Sequence, residues 1–157
     1  PKNGVLWDLG AGTGSVGLEA LRLRPELQLF AVERRSGVVP LIQANAERLG
    51  VKPVAVLQGD ARTLLAELPD PDRVLLGGGG AARAELLAVL LSRLRSGGVV
   101  VIPLATLEAV AELRPVLEAH GLQVSLMQLQ VSRGMPLAGG TRLAPLNPVV
   151  VLRGCRA

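Results

Sequence analysis

The stretch Val5-Leu6-Trp7-Asp8-Leu9-Gly10-Ala11-Gly12-Thr13-Gly14 constrains this chain more than any other. An apolar run there passes into a turn with glycine at 10, 12 and 14, and helix-like apolar spacing at Val16, Leu18, Leu21 and Leu23 follows. Strand, glycine turn and helix in that order open a β-α-β unit. In such a unit bare backbone lets a ligand come close, and the amides of the first helical turn face it. Asp8 separates the candidate ligands, because a carboxylate two residues before the first glycine repels a pyrophosphate and suits a ligand with positive charge. Gly12-Thr13-Gly14-Ser15-Val16-Gly17 also satisfies the G-x-G-x-x-G dinucleotide pattern. The glycines begin earlier, however, at Gly10, and the strand before them carries Asp8. The residues favour S-adenosyl-L-methionine, with its sulfonium and amino group, over a dinucleotide, and a purely structural turn comes third.

The alternation continues. Residues 27–33 read as a second strand, Gly37 to Leu49 as a helix, and Pro53 to Gln58 as a third strand. A helix from Arg62 to Glu67 precedes the strand Arg73 to Leu76, and a long helix from Ala82 to Leu94 precedes the strand Val99 to Pro103. A helix from Thr106 to His120 follows. Leu122 to Val131 and Pro148 to Leu152 then read as two strands joined by a Gly/Pro-rich connection, Gly134 to Asn147, with no helix between them. The expectation is an α/β fold of the doubly wound class. Its seven-stranded sheet is mostly parallel, with an antiparallel last strand and helices on both faces.

In such a sheet ligands bind at the carboxyl ends of the strands. Asp8 to Gly14 follows the first strand, Glu33-Arg34 ends the second, Gly59-Asp60-Ala61 ends the third and Gly77 to Gly80 ends the fourth. Glu33 is placed to accept both ribose hydroxyls bidentately. Asp60 is placed to accept from an adenine amino group, with the Ala61 amide beside it. Each acid alone reads equally as a solvated strand end, and their occurrence after consecutive strands is the stronger signal. The donor site expected from the residues comprises Asp8, Gly10, Ala11, Gly12, Thr13, Gly14, Glu33, Arg34, Gly59, Asp60, Ala61 and Gly77.

Length and composition exclude several classes. The 157 residues suffice for one domain with a substantial core. Mean hydropathy is +0.41, yet apolar runs such as Val99-Val100-Val101-Ile102 are far shorter than the roughly 20 residues that span a bilayer. No membrane segment is expected. Cys155 is the single cysteine, so no internal disulfide is expected and the default setting is the reducing cytoplasm. No metal site is expected. The chain starts at Pro1 without methionine and its first strand begins at once, so a single domain excised from a longer chain is expected. Formal net charge is +4, and of 17 basic residues only Lys2 and Lys52 are lysine. Arginine pairs bidentately with carboxylates and phosphates. Reading single-stranded bases needs aromatic platforms, and one Trp, one Phe and no Tyr argue against a nucleic-acid partner.

With the glycine turn, the acids at successive strand ends resemble the Rossmann-like, class I S-adenosylmethionine-dependent methyltransferases over essentially the whole chain. Many amino-group methyltransferases of this class carry an Asn/Asp-Pro-Pro-aromatic turn after the fourth strand. Gly77-Gly78-Gly79-Gly80 stands there instead, offering backbone amides and space to a bulky acceptor. A narrower resemblance is carried by Leu6 to Val16, Ala31-Val32-Glu33-Arg34, Gly59-Asp60-Ala61, Gly77 to Gly80, Thr106-Leu107-Glu108 and Val131-Ser132-Arg133-Gly134. These are similar to the decarboxylating precorrin-6Y C5,15-methyltransferase family of cobalamin biosynthesis, in particular its C-15-methylating, decarboxylating domain or subunit.

That resemblance implies methylation of C-15 of precorrin-6B and decarboxylation of its C-12 acetate. It also implies a partner C-5 methyltransferase domain or subunit, a homo-oligomer, and a helix upstream of the first strand that helps enclose the donor. Candidate contacts to the carboxylate-rich macrocycle are Gly78, Gly79, Arg34, Arg83, Thr106, Arg133 and Arg142, and Glu108 is the candidate to steer a proton. The competing readings are an RNA methyltransferase using the same donor site and a donor-binding subunit without catalysis.

Overall fold

β1 (Gly4–Leu9) lies in the middle of the sheet, and its residues from Val5 to Leu9 are all buried, as expected for a parallel strand covered on both faces. The computed structural model describes residues 3–77 and 80–157. β1 leads into α1 (Ser15–Leu23), β2 (Leu27–Glu33), α2 (Val38–Leu49), β3 (Ala55–Gln58) and the short α3 (Ala61–Leu64), which tightens into a 3-10 turn at Leu65–Glu67. Then follow β4 (Arg73–Leu76), a 3-10 turn at Gly80–Ala82, α4 (Arg83–Arg93), β5 (Val99–Leu104) and α5 (Leu107–Ala119). The last part holds β6 (Gln123–Leu129), β7 (Ser132–Leu137), β8 (Gly140–Pro145) and β9 (Val149–Cys155).

The main sheet has the order β3-β2-β1-β4-β5-β9-β6. β9 runs antiparallel between β5 and β6, and the other pairs are parallel. β1 therefore sits where the order reverses, with β2 and β4 on either side, which is where an open α/β sheet forms its ligand crevice. The expected α/β fold and antiparallel final strand are both present.

Side chains alternate across each strand and feed two cores. Val5, Trp7 and Leu9 of β1 pack with Leu87, Leu90 and Leu91 of α4 and Leu113 and Leu117 of α5. Leu6 faces the other way and joins Leu18 and Leu21 of α1 and Ile42 and Ala46 of α2. The fully buried Trp7 donates its indole Nε1–H to Pro69 O at 3.1 Å, with the Arg93 guanidinium 5.3 Å above the ring. Arg93 also pairs with Asp70 and donates to the carbonyls of Leu65 and Leu68. That network fastens the irregular stretch between α3 and β4 beneath the centre of the sheet. Among the described residues no helix is long and apolar enough to cross a membrane.

The connection expected to be a loop, Gly134 to Asn147, is largely an antiparallel hairpin, with β7 and β8 forming a separate two-stranded sheet. Gly139, at φ +78°, makes the turn that returns Leu137 against Gly140. Pro136 and Pro145 lie inside its strands. An isolated ribbon tolerates proline because each strand is an edge.

Candidate functional site

The glycine turn is fixed by backbone bonds to the neighbouring strand. The amides of Gly10 and Ala11 both donate to Val32 O, at 2.9 and 3.1 Å, so the end of β2 clamps the turn. Gly12 and Gly14 adopt φ +57° and +77°, which side chains rarely accept, and Gly14 starts α1. Glu33 reaches back from β2: its Oε2 accepts from Gly12 N at 2.8 Å, and its Oε1 accepts from Arg35 N at 3.0 Å. The Arg35 guanidinium lies against the same carboxylate at 3.3 and 3.4 Å. Burial pushes Glu33 up, but the Arg35 amide and guanidinium and the Gly12 amide outweigh it and hold Glu33 below the usual carboxylate range.

Asp60 ends the next strand. Its carboxylate accepts from Arg62 N at 2.9 Å and pairs with the Arg62 guanidinium, with the closest contact at 2.7 Å. The guanidinium first, and then the amide, lower Asp60 from 3.8 to about 2. Glu33 and Asp60 are thus both held as carboxylates on the rim of one cleft of about 520 Å³. Gly10, Arg34, Gly59, Ala61 and Gly77 also line it, over an apolar floor that includes Leu9, Leu76 and Leu86. An added Cβ at Gly77 would lie 3.1 Å from Gly10 O, so the two loops meet closely there.

A second cavity of about 550 Å³ adjoins the first across Gly10 and Gly77. Its walls are apolar, with Leu75, Val101, Val149 and Val151 on the sheet and Val131 and Leu146 at the foot of the hairpin. Asp8 borders this cavity rather than the polar cleft. It is 4% exposed, and its Oδ2 accepts from Gly17 N at 3.1 Å. Burial pushes its carboxyl up to about 6, the Gly17 amide opposes this and the charge of Glu33 adds to it.

The structure brings together Gly10, Glu33, Arg34, Gly59, Asp60, Ala61 and Gly77, while Asp8 and Ala11 stand on the apolar side. Gly12, Thr13 and Gly14 form the turn behind the cleft, where Thr13 O accepts from Asn45 at 3.0 Å. Gly78 and Gly79 lie outside the described residues. Of the candidate acceptor contacts Arg34 lines the cleft, and Arg83, Thr106, Arg133 and Arg142 are not gathered with it. Arg83 opens α4 and pairs with Glu112 of α5 at 2.8 Å, so it ties two helices together instead of bordering either cavity. Thr106 caps α5 by accepting from Ala109 N at 3.3 Å. Glu108 is an exposed acid in the first turn of that helix, where it complements the helix dipole. Arg133 and Arg142 stand on β7 and β8, exposed and away from both cavity linings. Arg35 and Arg62 were missed, although each follows its acid by two residues, an acid-x-Arg signal that occurs at both strand ends.

The precorrin methyltransferase domain family matches residues 1–156. A probable cobalt-precorrin-6B C(15)-methyltransferase (decarboxylating) from Pyrobaculum aerophilum is 36% identical over 153 residues, covering 96% of this chain and 78% of that protein. A precorrin-6Y C(5,15)-methyltransferase [decarboxylating] from Sinorhizobium is 35% identical over 151 residues, covering 95% of this chain and 36% of that protein. The crystal structure of precorrin-6y C5,15-methyltransferase from Geobacter metallireducens superposes with a TM-score of 0.90 at 32% identity, covering 98% of this chain and 82% of that one. With the family matched along nearly all its length, the chain belongs to the precorrin methyltransferase domain family.

Proposed function

We propose that this domain methylates C-15 of precorrin-6B, or its cobalt form, and promotes loss of carbon dioxide from the C-12 acetate, with S-adenosyl-L-methionine as donor. The observation that carries the reading is the pair of ionised acids, Glu33 and Asp60, bordering one cleft with the Gly10 turn. The residues fit the donor. Glu33 would accept from the ribose hydroxyls and Asp60 from the adenine amino group. The close approach of Gly77 to Gly10 leaves bare backbone where a Cβ would intrude. Asp8, on the far side of Gly10, would supply negative charge to the cationic part of the donor. When bound, the donor supplies an electrophilic methyl group.

What the protein contributes is orientation more than base strength, since the tetrapyrrole carries its own electron-rich carbon. In the decarboxylation the C–C bond to the carboxylate breaks, its electron pair enters the conjugated ring, carbon dioxide leaves and the methylene carbon gains a proton. Arg34 offers a carboxylate contact at the cleft rim.

The apolar cavity is a poor seat for a carboxylate-rich ring, because its lining holds an acid, Asp8, and no cation. It suits an apolar covering segment, such as the helix that the resemblance implies upstream of β1. We read the domain as the C-terminal part of a longer enzyme, or as a subunit beside a C-5 methyltransferase. The Sinorhizobium relative, of which this chain spans 36%, supports that reading. Incubation of the domain with donor and precorrin-6B, followed by mass spectrometry, tests the activity. The expected product has gained one methyl and lost one carbon dioxide, and unaltered tetrapyrrole would refute the reading.

A further inference from the structure

We propose that Arg35 and Arg62 join Arg34 in a carboxylate-binding lip for the acceptor, and that the donor releases them for this use, so that donor binds first and acceptor second. The inference rests on the proposed function for the identity of both ligands. Among the described residues, the cations lining either cavity are Arg34, Arg35 and Arg62, all three in the polar cleft. Arg83 is tied to Glu112 instead. A macrocycle with carboxylates round its perimeter that brings one ring carbon to the donor's methyl group would have these three guanidinium groups beside it.

Both acids are saturated by their arginines. A carboxylate has about four lone-pair sites. Glu33 Oε2 accepts from Gly12 N at 2.8 Å and Arg35 Nη2 at 3.4 Å, and its Oε1 accepts from Arg35 N at 3.0 Å and Arg35 Nε at 3.3 Å. Asp60 Oδ1 accepts from Arg62 N at 2.9 Å and Nε at 3.2 Å, and its Oδ2 from Nε at 3.3 Å and Nη2 at 2.7 Å. The amides belong to the turn and to the start of α3 and stay in place. The guanidinium contacts can be given up, and Glu33 has one on each oxygen. Losing them frees one site per oxygen, which is what two adjacent ribose hydroxyls need.

The side chain of Arg35 is 66% exposed and that of Glu33 7%, so the guanidinium covers the acid from the solvent side. It can leave by a change of rotamer with the backbone unmoved. Arg62 is 49% exposed beside Asp60 at 35%, and the charge of Glu85 on α4 also acts on it. Ion pairs exposed to this degree are weak, so hydroxyl and amino groups of the donor can replace them. Each released guanidinium is a planar fork that fits a carboxylate bidentately. The lining then presents three cations, while its two acids are engaged by the donor. The sulfonium adds a further positive charge, which favours a polycarboxylate acceptor over the same cleft.

Calorimetry with precorrin-6B and S-adenosyl-L-homocysteine, the demethylated donor, tests this without turnover. Precorrin-6B is expected to bind about tenfold more tightly when S-adenosyl-L-homocysteine is present, and linkage requires the same factor in the other direction. Arg35→Gln with Arg62→Gln should remove most of that gain without weakening S-adenosyl-L-homocysteine. Arg35→Lys with Arg62→Lys, which keeps the charge, should restore part of it. Equal affinity for precorrin-6B with and without S-adenosyl-L-homocysteine overturns the proposal. So does a gain that survives the glutamine pair, or a glutamine pair that binds S-adenosyl-L-homocysteine less tightly, the sign of arginines that only hold the acids in place. Turnover by the unmodified domain tests the activity separately. A domain that converts precorrin-6B and shows no such gain keeps its function and loses this inference, and one that binds no precorrin-6B under either condition loses both.

Discussion

The amide of Gly17 donates to Asp8 Oδ2 at 3.1 Å, and a Cβ on Gly17 would collide with that same oxygen. Gly17 completes the G-x-G-x-x-G pattern, yet its glycine is needed to seat a buried acid under the turn. The third glycine of the pattern thus brings helix and strand together over a buried acid. Gly17→Ala is expected to destabilise the fold by about 1–3 kcal/mol through overpacking. In an Asp8→Ala background the cost should fall, because the two residues touch. Urea denaturation of the four proteins measures this coupling, and equal costs in both backgrounds would refute it.

Asp8 carries a stability cost at neutral pH. Its carboxyl titrates near 6 in the fold against an ordinary 3.8. The folded protein therefore holds the proton more tightly than the unfolded chain, and the buried charge weighs against folding above pH 6. That cost, on the order of 3 kcal/mol, is relieved as pH falls from 6 toward 4. Asp8→Asn keeps an acceptor for Gly17 N and should raise stability at pH 7 while flattening its pH dependence between 4 and 6. The same substitution should weaken donor binding. Denaturation across pH, paired with calorimetry, measures both effects.

Glu33 holds the turn and also faces the cleft. Glu33→Ala is expected to weaken donor binding by about 1–3 kcal/mol, the range for a lost charged hydrogen-bond partner. It should also loosen the turn, since Gly12 N loses its acceptor. Unchanged donor affinity by calorimetry would remove Glu33 from the donor site.

Thr106 separates capping from binding. Thr106→Ala removes the acceptor for Ala109 N and should cost about 1 kcal/mol of stability. Affinity for the tetrapyrrole should stay as it is. A loss of affinity with no loss of stability would return Thr106 to the site.

The legible parts of the chain are those where local pattern and tertiary demand agree. β4 shows as Arg73 to Leu76 in both sequence and structure because a strand buried on both faces is an apolar run bounded by breakers. The acids at the ends of β2 and β3 stand out because parallel topology fixes where ligands go. The hairpin hides, since Gly134, Pro136, Gly139 and Pro145 look like loop residues and the pairing that makes them strands is not local. The Arg83 ion pair is hidden for a related reason: its partner Glu112 lies 29 residues away. The apolar cavity leaves no local signature, because its walls come from strands far apart in sequence.

The position of β9 bears on the order in which the domain can assemble. β6 is synthesised before β9 but borders the sheet only through it. As the chain emerges from the ribosome, the parallel half from β1 to β5 can close around the Trp7 core while residues 123–147 wait without a docking strand. Arrival of β9 then supplies both neighbours in one step, Val150 to Cys155 against β5 and Val149 to Cys155 against β6. The segment that carries the β6 edge is thus also the last to be secured.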